Sequence, residues 1–263
     1  MLLLFGACVT STKNHENDLQ TVSDTLTQVD PVPDKPASSG DPLMDSLKAI
    51  EDQLPPRVYG VDISRYQGDE LDFLDAKRDS LGFVFAKGTE GNTYVDPRFS
   101  KNWAEIESRG FIRGAYHFYR TNDAPETQLA NFAKAIGTLH DDDLPPIVDF
   151  EEGSIAKGTT AAQIEVDLLK FLNALEKKYN RTPMLYTDIG TANKYLTKSD
   201  FLAYPLWIAN YRKGDEPHLP NLWKGKDWKF WQKSQSYDIN GTTNDCDIFN
   251  GNRLELLKFI KEK

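Results

Sequence analysis

The sequence predicts an α/β fold, an incomplete TIM-like barrel of the form (β/α)5(β)3, with eight strands of which the last runs antiparallel. Three observations lead there. From position 56 onward short β-rich runs alternate with helical stretches, the pattern of a βα-repeating domain. The alternation then stops, because 212–227 is rich in Gly, Pro and Lys and 234–244 is polar with Gly241, so the last strands are joined by loops. Acids also recur at the ends of strands far apart in sequence, and such ends converge only at the mouth of a barrel. The competing topology is a doubly wound open sheet.

The eight strands are expected at 58–64, 82–87, 112–118, 146–151, 183–187, 206–211, 228–233 and 245–249. Helices are expected at 96–109, 124–136 and 160–179, where apolar residues recur at three and four positions. Leu168, Leu169, Leu172 and Leu175 form one such stripe. A final helix over 253–263 closes the domain.

Composition narrows the possible roles. The chain has 263 residues, 39% hydrophobic and 11% aromatic, enough for a packed core. A net charge of −9 leaves no basic field for phosphates, so nucleic acid is not an expected partner. No apolar run approaches the roughly 20 residues that cross a bilayer, and two cysteines cannot build a disulfide framework. Residues 1–55 hold three Lys, no Arg and nine acids, and Phe5 is their only aromatic residue. Such a segment buries too little apolar surface to offset its ordering entropy. It divides into 1–8, a lipoprotein-like signal remnant, and 9–55, a tether whose stretch 30–40 is a Pro/Ser linker. Met-Leu-Leu-Leu-Phe-Gly-Ala-Cys8 resembles a bacterial lipobox, with small residues before a thiol that can be lipidated. Export and a lipid anchor on Cys8, the one expected membrane contact, follow from that resemblance; an incidental apolar N-terminus is the alternative.

The sharpest local feature is Pro145-Pro-Ile-Val-Asp-Phe-Glu-Glu152, a strand that finishes in acids. Strand alternation turns Asp149 and Glu151 to one side and Phe150 and Glu152 to the other. Two carboxylates in one small volume hinder each other's ionisation, and the proton retained is available for donation near neutral pH. Glycoside hydrolysis uses that arrangement. Asp62 ends the first strand, and Asn244-Asp-Cys-Asp247 opens the last. Asp245 reaches the same mouth only if its strand is reversed. Cys246 is expected to turn away from its acidic neighbours and to be a buried free thiol.

At this point the residues resemble a known family. Tyr59-Gly-Val-Asp-Ile-Ser64, Phe85-Ala-Lys-Gly-Thr-Glu-Gly91, Gly114-Ala-Tyr-His-Phe118, Ile147-Val-Asp-Phe-Glu151, Leu185-Tyr-Thr187, Leu206-Trp-Ile-Ala-Asn-Tyr211, Phe230-Trp-Gln232 and Asp245-Cys-Asp-Ile-Phe-Asn-Gly251 are similar to the glycoside hydrolase family 25 lysozymes. The similarity covers about 57–262 and takes in every expected strand in order. It implies N-acetylmuramidase activity on bacterial peptidoglycan glycan strands, with net retention through either a carboxylate nucleophile or the substrate's own acetamido oxygen. Carried over residue by residue, it makes Glu151 the general acid/base, Asp149 the carboxylate that assists the reacting sugar, and Asp62 and Asp245 outer acids that tune the pair. Tyr116, Tyr186, Trp207 and Gln232 match groove positions, as do Lys87 and Glu90. Where the family more often has Asp-x-Asn, this chain has Asp245-Cys-Asp247, which adds an acid beside the groove.

Two other readings remain at the level of sequence: a catalytically inactive glycan-binding module and a metal-dependent polysaccharide hydrolase or deacetylase. The four histidines show no close-spaced ligand pair, and His117 is expected to be structural, so neither a metal nor another cofactor is expected. Chitinase-like barrels would require acids where Leu144 and Ile147 stand. A monomer is expected.

Overall fold

Val58 opens the apolar run Val58–Ile63 (β1), whose alternate side chains turn to opposite faces. The computed structural model describes residues 48–49, 51–68, 71–77 and 80–262. Further strands follow: β2 (Leu81–Glu90), the two-residue β3 (Tyr94–Val95), β4 (Ile112–Phe118), β5 (Ile147–Asp149), β6 (Met184–Asp188), β7 (Leu206–Ala209), β8 (Phe230–Ile239) and β9 (Thr242–Phe249). β1, β2, β4, β5, β6, β7 and β8 pair in parallel in that order. β9 then runs antiparallel to both β8 and β1 and closes the ring. The reversal expected of the last barrel strand is therefore present. β3, which folds back on the end of β2, is an addition to the eight.

Crossovers carry α1 (Phe99–Ser108), α2 (Pro125–Ile136), α3 (Ala161–Tyr179) and α4 (Ile189–Tyr195), while β1 reaches β2 through 3₁₀ turns at Arg65–Gln67 and Asp72–Lys77. Local chemistry sets several of these boundaries. Pro125 begins α2, where its missing N–H costs nothing. Thr160 caps α3 by accepting from the Gln163 amide at 3.3 Å, and Asn180 ends it in the left-handed conformation. Asn252 and Glu255 form a reciprocal capping box at the start of α5 (Arg253–Lys261).

Two apolar shells hold the ring. Inside it Phe83, Phe85, Ile147, Met184, Trp207, Phe230 and Phe249 pack together, and Leu256, Phe259 and Ile260 of α5 join the same cluster. Arg253 donates to the Gly82 carbonyl at 3.0 Å, which fixes α5 across the end where β2 begins. Gly60 and Gly114 leave room for the rings, since a Cβ at either would drive into Phe83 or Phe85. Outside the ring, Phe132 and Ile136 of α2 and Leu168, Phe171, Leu172 and Leu175 of α3 cover Val84, Ala86, Val148, Leu185 and Ile208. Fully burying each such side chain is worth about 1.5–3 kcal/mol.

Two expectations are corrected. The segment 234–244 is a continuous hairpin rather than a polar loop. Asn240 and Gly241 both take positive φ, 51° and 82°, the two-residue turn whose twist matches antiparallel strands. Cys246 does turn away from Asp245 and Asp247, but it is only half-buried and borders an open groove on the hairpin. Burial pushes its thiol up to about 12.

Candidate active site

The parallel strands finish around one cleft of about 280 Å³, at the end of a barrel where loop chemistry gathers. β5 delivers the central pair. Asp149 faces inward, Phe150 is buried in the outer shell with its ring 6.4 Å from that of Tyr195, and Glu151 faces inward again. Regular pairing ends at Asp149, but the backbone stays extended through Glu151, whose N–H donates to Ser154 Oγ at 3.1 Å as the chain enters a 3₁₀ turn.

The outer acids arrive from the seam. Asp62 and Asp245 are register partners across β1 and β9, so they face the cleft side by side. Gln232 on β8 links Asp62 to the groove: its Nε2 donates to Asp62 Oδ2 at 2.7 Å, and its Oε1 accepts from Tyr186 and Tyr211 hydroxyls at 2.9 and 2.7 Å. Beneath this layer the Trp207 indole N–H donates to Asp247 Oδ1 at 2.9 Å. After β1, Ser64 Oγ accepts from the Tyr66 amide and Gln67 Oε1 accepts from the Ser64 amide, which holds Tyr66 at the rim.

Burial raises the Asp149 carboxyl well above the usual carboxylate range, with the charge of Glu151 next in importance. Glu151 is also raised, first by burial and then by Asp188, while Lys87 and Arg120 oppose the shift. Asp62, Asp245 and Asp247 are raised chiefly by burial, and Asp62 further by the charge of Asp245. Burial and crowding thus make each of these acids hold a proton more tightly than an exposed carboxyl would. Lys87 is the cation in the lining of the cleft, with Nζ 2.8 Å from Glu90 Oε2 and 4.8 Å over the Phe118 ring.

Of the residues expected at a site, Asp62, Lys87, Tyr116, Asp149, Glu151, Tyr186, Trp207, Gln232 and Asp245 line this cleft together. Glu90 does not. It is held by Lys87 and Arg120 and borders a neighbouring depression with Tyr94 and Asp123. Cys8 lies outside the described residues. Tyr116, Tyr186 and Trp207 are only 9%, 7% and 2% exposed, so they form a floor, whereas Tyr66 and Tyr211 are 78% and 51% exposed and form the open rim. Sequence reasoning missed these two rim residues. Their signal was position, each following closely on the end of a parallel barrel strand. Asp247, expected beside the groove, is instead wholly buried below it.

His117 is buried on the outer face, bonded to Thr89 at 2.7 Å and Gln128 at 3.0 Å. Burial lowers it to about 4, so it stays neutral. Among the described residues one group, His140, Asp142 and Asp143, brings metal-type donors within 4.8 Å of one another. It lies in the loop entering β5, and the Arg113 guanidinium already contacts Asp143 at 2.6 Å and His140 at 3.1 Å, a poor setting for a second cation.

The family model described as Glycosyl hydrolases family 25 matches residues 61–242. The chain belongs to this family. As a family 25 member it is a glycoside hydrolase, and its relatives span bacteria and fungi. It is 31% identical over 213 residues to the uncharacterized protein YegX of Escherichia coli O157:H7, covering 77% of this chain and 73% of that one. Lysozyme M1 of Streptomyces globisporus is 30% identical over 215 residues, with 76% and 70% covered. The solved family 25 lysozyme of Aspergillus fumigatus superposes with a TM-score of 0.70 at 31% identity, covering 79% of this chain and 100% of its own.

Proposed function

We propose that this family 25 hydrolase is a lysozyme that cleaves the β-1,4 bond between N-acetylmuramic acid and N-acetylglucosamine in peptidoglycan. Glu151 is the general acid/base, and Asp149 is the carboxylate that supports the reacting sugar. The observation that carries this reading is the convergence of both acids, each held above its ordinary proton affinity, in one cleft. In the open cleft the deeper burial of Asp149 favours its protonated form. A sugar covering the half-buried Glu151 strips its water and raises it further, so the proton moves to the acid that faces the leaving oxygen. Ionised Asp149 then offsets the positive charge developing on the ring. Asp62, bridged to the groove by Gln232, and its register partner Asp245 set how readily that ionisation occurs. The floor of Tyr116, Tyr186 and Trp207, with Tyr66 and Tyr211 at the rim, offers flat apolar surface to sugar C–H faces.

The test is release of reducing ends from purified peptidoglycan. The Glu151→Gln chain should lose about 10²–10⁴-fold in kcat with its fold intact, and mass analysis should find the new reducing end on muramic acid. Equal activity in the variant, or a reducing end on glucosamine, overturns the assignment. An inactive glycan-binding module is disfavoured because both acids line the cleft.

The proposal includes export and lipidation of Cys8, with 9–55 as a tether between the lipid and the barrel. Its support is the apolar run ending in Gly-Ala-Cys8 and the Pro/Ser linker that follows. Mass spectrometry of the membrane fraction should find a diacylglyceryl-modified Cys8; an intact Met1 terminus there contradicts it.

A further inference from the structure

Beside the catalytic cleft, and sharing Tyr211 and Gln235 with it, lies an open groove of about 690 Å³ along the β8–β9 hairpin. Its charged side chains are cationic, where those of the cleft are chiefly carboxyls. Arg212, Lys213 and Lys233 line it and no carboxylate does, whereas the cleft is lined by Asp62, Asp149, Glu151 and Asp245. In a chain of net charge −9, three cations around one acid-free groove create a local field that attracts anions. Arg212 donates to the Glu216 carbonyl oxygen, and Lys233 Nζ sits 5.0 Å over the Trp231 ring. Among the described residues none of the three cations is in an ion pair. Ser234, Ser236 and Tyr237 add hydroxyls to the same wall.

We infer that this groove binds carboxylates of the peptide stem carried by muramic acid, so that the chain prefers peptide-bearing glycan strands to bare ones. The inference rests on the lysozyme reading above. Continuity with the cleft through Tyr211, whose hydroxyl is bonded to Gln232 at 2.7 Å, favours an anion attached to the sugar being cut over a free one. The division of charge has a second consequence. A stem carboxylate is drawn to the cations beside the cleft, which orients the strand in the cleft before any bond breaks.

The experiment compares the full chain with Lys213→Glu and Lys233→Glu, on peptide-bearing sacculi and on glycan strands freed of peptide by an amidase. The ratio of kcat/KM on the two substrates should exceed one in the unsubstituted chain and fall about three- to tenfold in each variant. Sodium chloride at half-molar strength should reduce it in the same way. A ratio of one throughout, or equal losses on both substrates, overturns the inference while leaving the lysozyme reading in place. Loss of the preference after hydrofluoric acid strips wall phosphodiesters, with peptides retained, assigns the groove to phosphate polymers and overturns it too. Binding of the Glu151→Gln chain to the same two substrates reads the preference without turnover. A protein that discriminates in binding yet releases no reducing ends in its unsubstituted form sinks the lysozyme reading and leaves the groove assignment standing.

Discussion

Asp247 is wholly buried and has too little hydrogen bonding for a charge. One of its oxygens accepts from Trp207 at 2.9 Å, while Oδ2 has no partner among the described residues other than neighbouring carboxyls. A carboxyl with a raised folded-state value binds its proton more tightly in the folded chain than in the unfolded one. Its contribution to stability is therefore full below the ordinary carboxylate value of about 4 and is lost as pH rises through the raised value. Asp62, Asp149 and Asp245 share that sign, so the melting temperature should fall as pH is taken from about 4 to neutrality. Asp247→Asn keeps an acceptor for Trp207 and removes the buried charge. It should raise the melting temperature at neutral pH, by about 2–4 °C for each kcal/mol recovered, and change little near pH 4. Calorimetry at the two pH values checks this; a gain that is equal at both would remove the charge explanation. Activity follows the same direction, because protonated Glu151 is consumed as pH rises through its raised value. The alkaline limb of the pH profile belongs to that group, and weakening the opposing cation by Lys87→Gln should move the limb to higher pH.

At the scale of elements, the β8–β9 hairpin and the Gln232 bridge connect packing to chemistry. Gln232 satisfies Asp62, Tyr186 and Tyr211 at once. Gln232→Leu should leave Asp62 and both hydroxyls short of a partner, costing about 1–3 kcal/mol and raising KM more than it lowers kcat, as denaturant titration and steady-state kinetics would show. The sequence disclosed strands and helices wherever apolar periodicity was strong, and the acids of β1, β5 and β9 were legible because each directly follows or opens such a run. The hairpin was not read, although Asn240-Gly241 is its local signature, because the flanking 234–239 and 242–244 carry few apolar residues to reveal alternation. Trp207 illustrates a different limit. Strand alternation gives its face correctly, but depth depends on Phe85 packing 4.4 Å away, and no local pattern encodes that contact.

For the whole molecule, the interior cluster ties the C-terminal helix to the barrel. Phe259 packs its ring 5.9 Å from Phe230 and 6.0 Å from Phe249. Phe259→Ala should cost about 3–5 kcal/mol and lower the urea midpoint without altering which bond is cut. A midpoint within error of the unsubstituted chain would show that α5 is dispensable. Fold class and topology were accessible from sequence because eight strands and their linkers differ in composition, whereas the rim residues Tyr66 and Tyr211 carried only the signal of position after a strand end, and their exposure needed the folded barrel. The ring also has a seam, where β1 hydrogen-bonds to β9, strands from opposite ends of the barrel sequence. During synthesis β1 is made first and waits for its last neighbour until every other strand of the barrel has been made. Until then it presents an open edge to other chains, which makes a nascent or truncated product prone to aggregation and gives any factor that shields unfolded polypeptide a defined strand to protect.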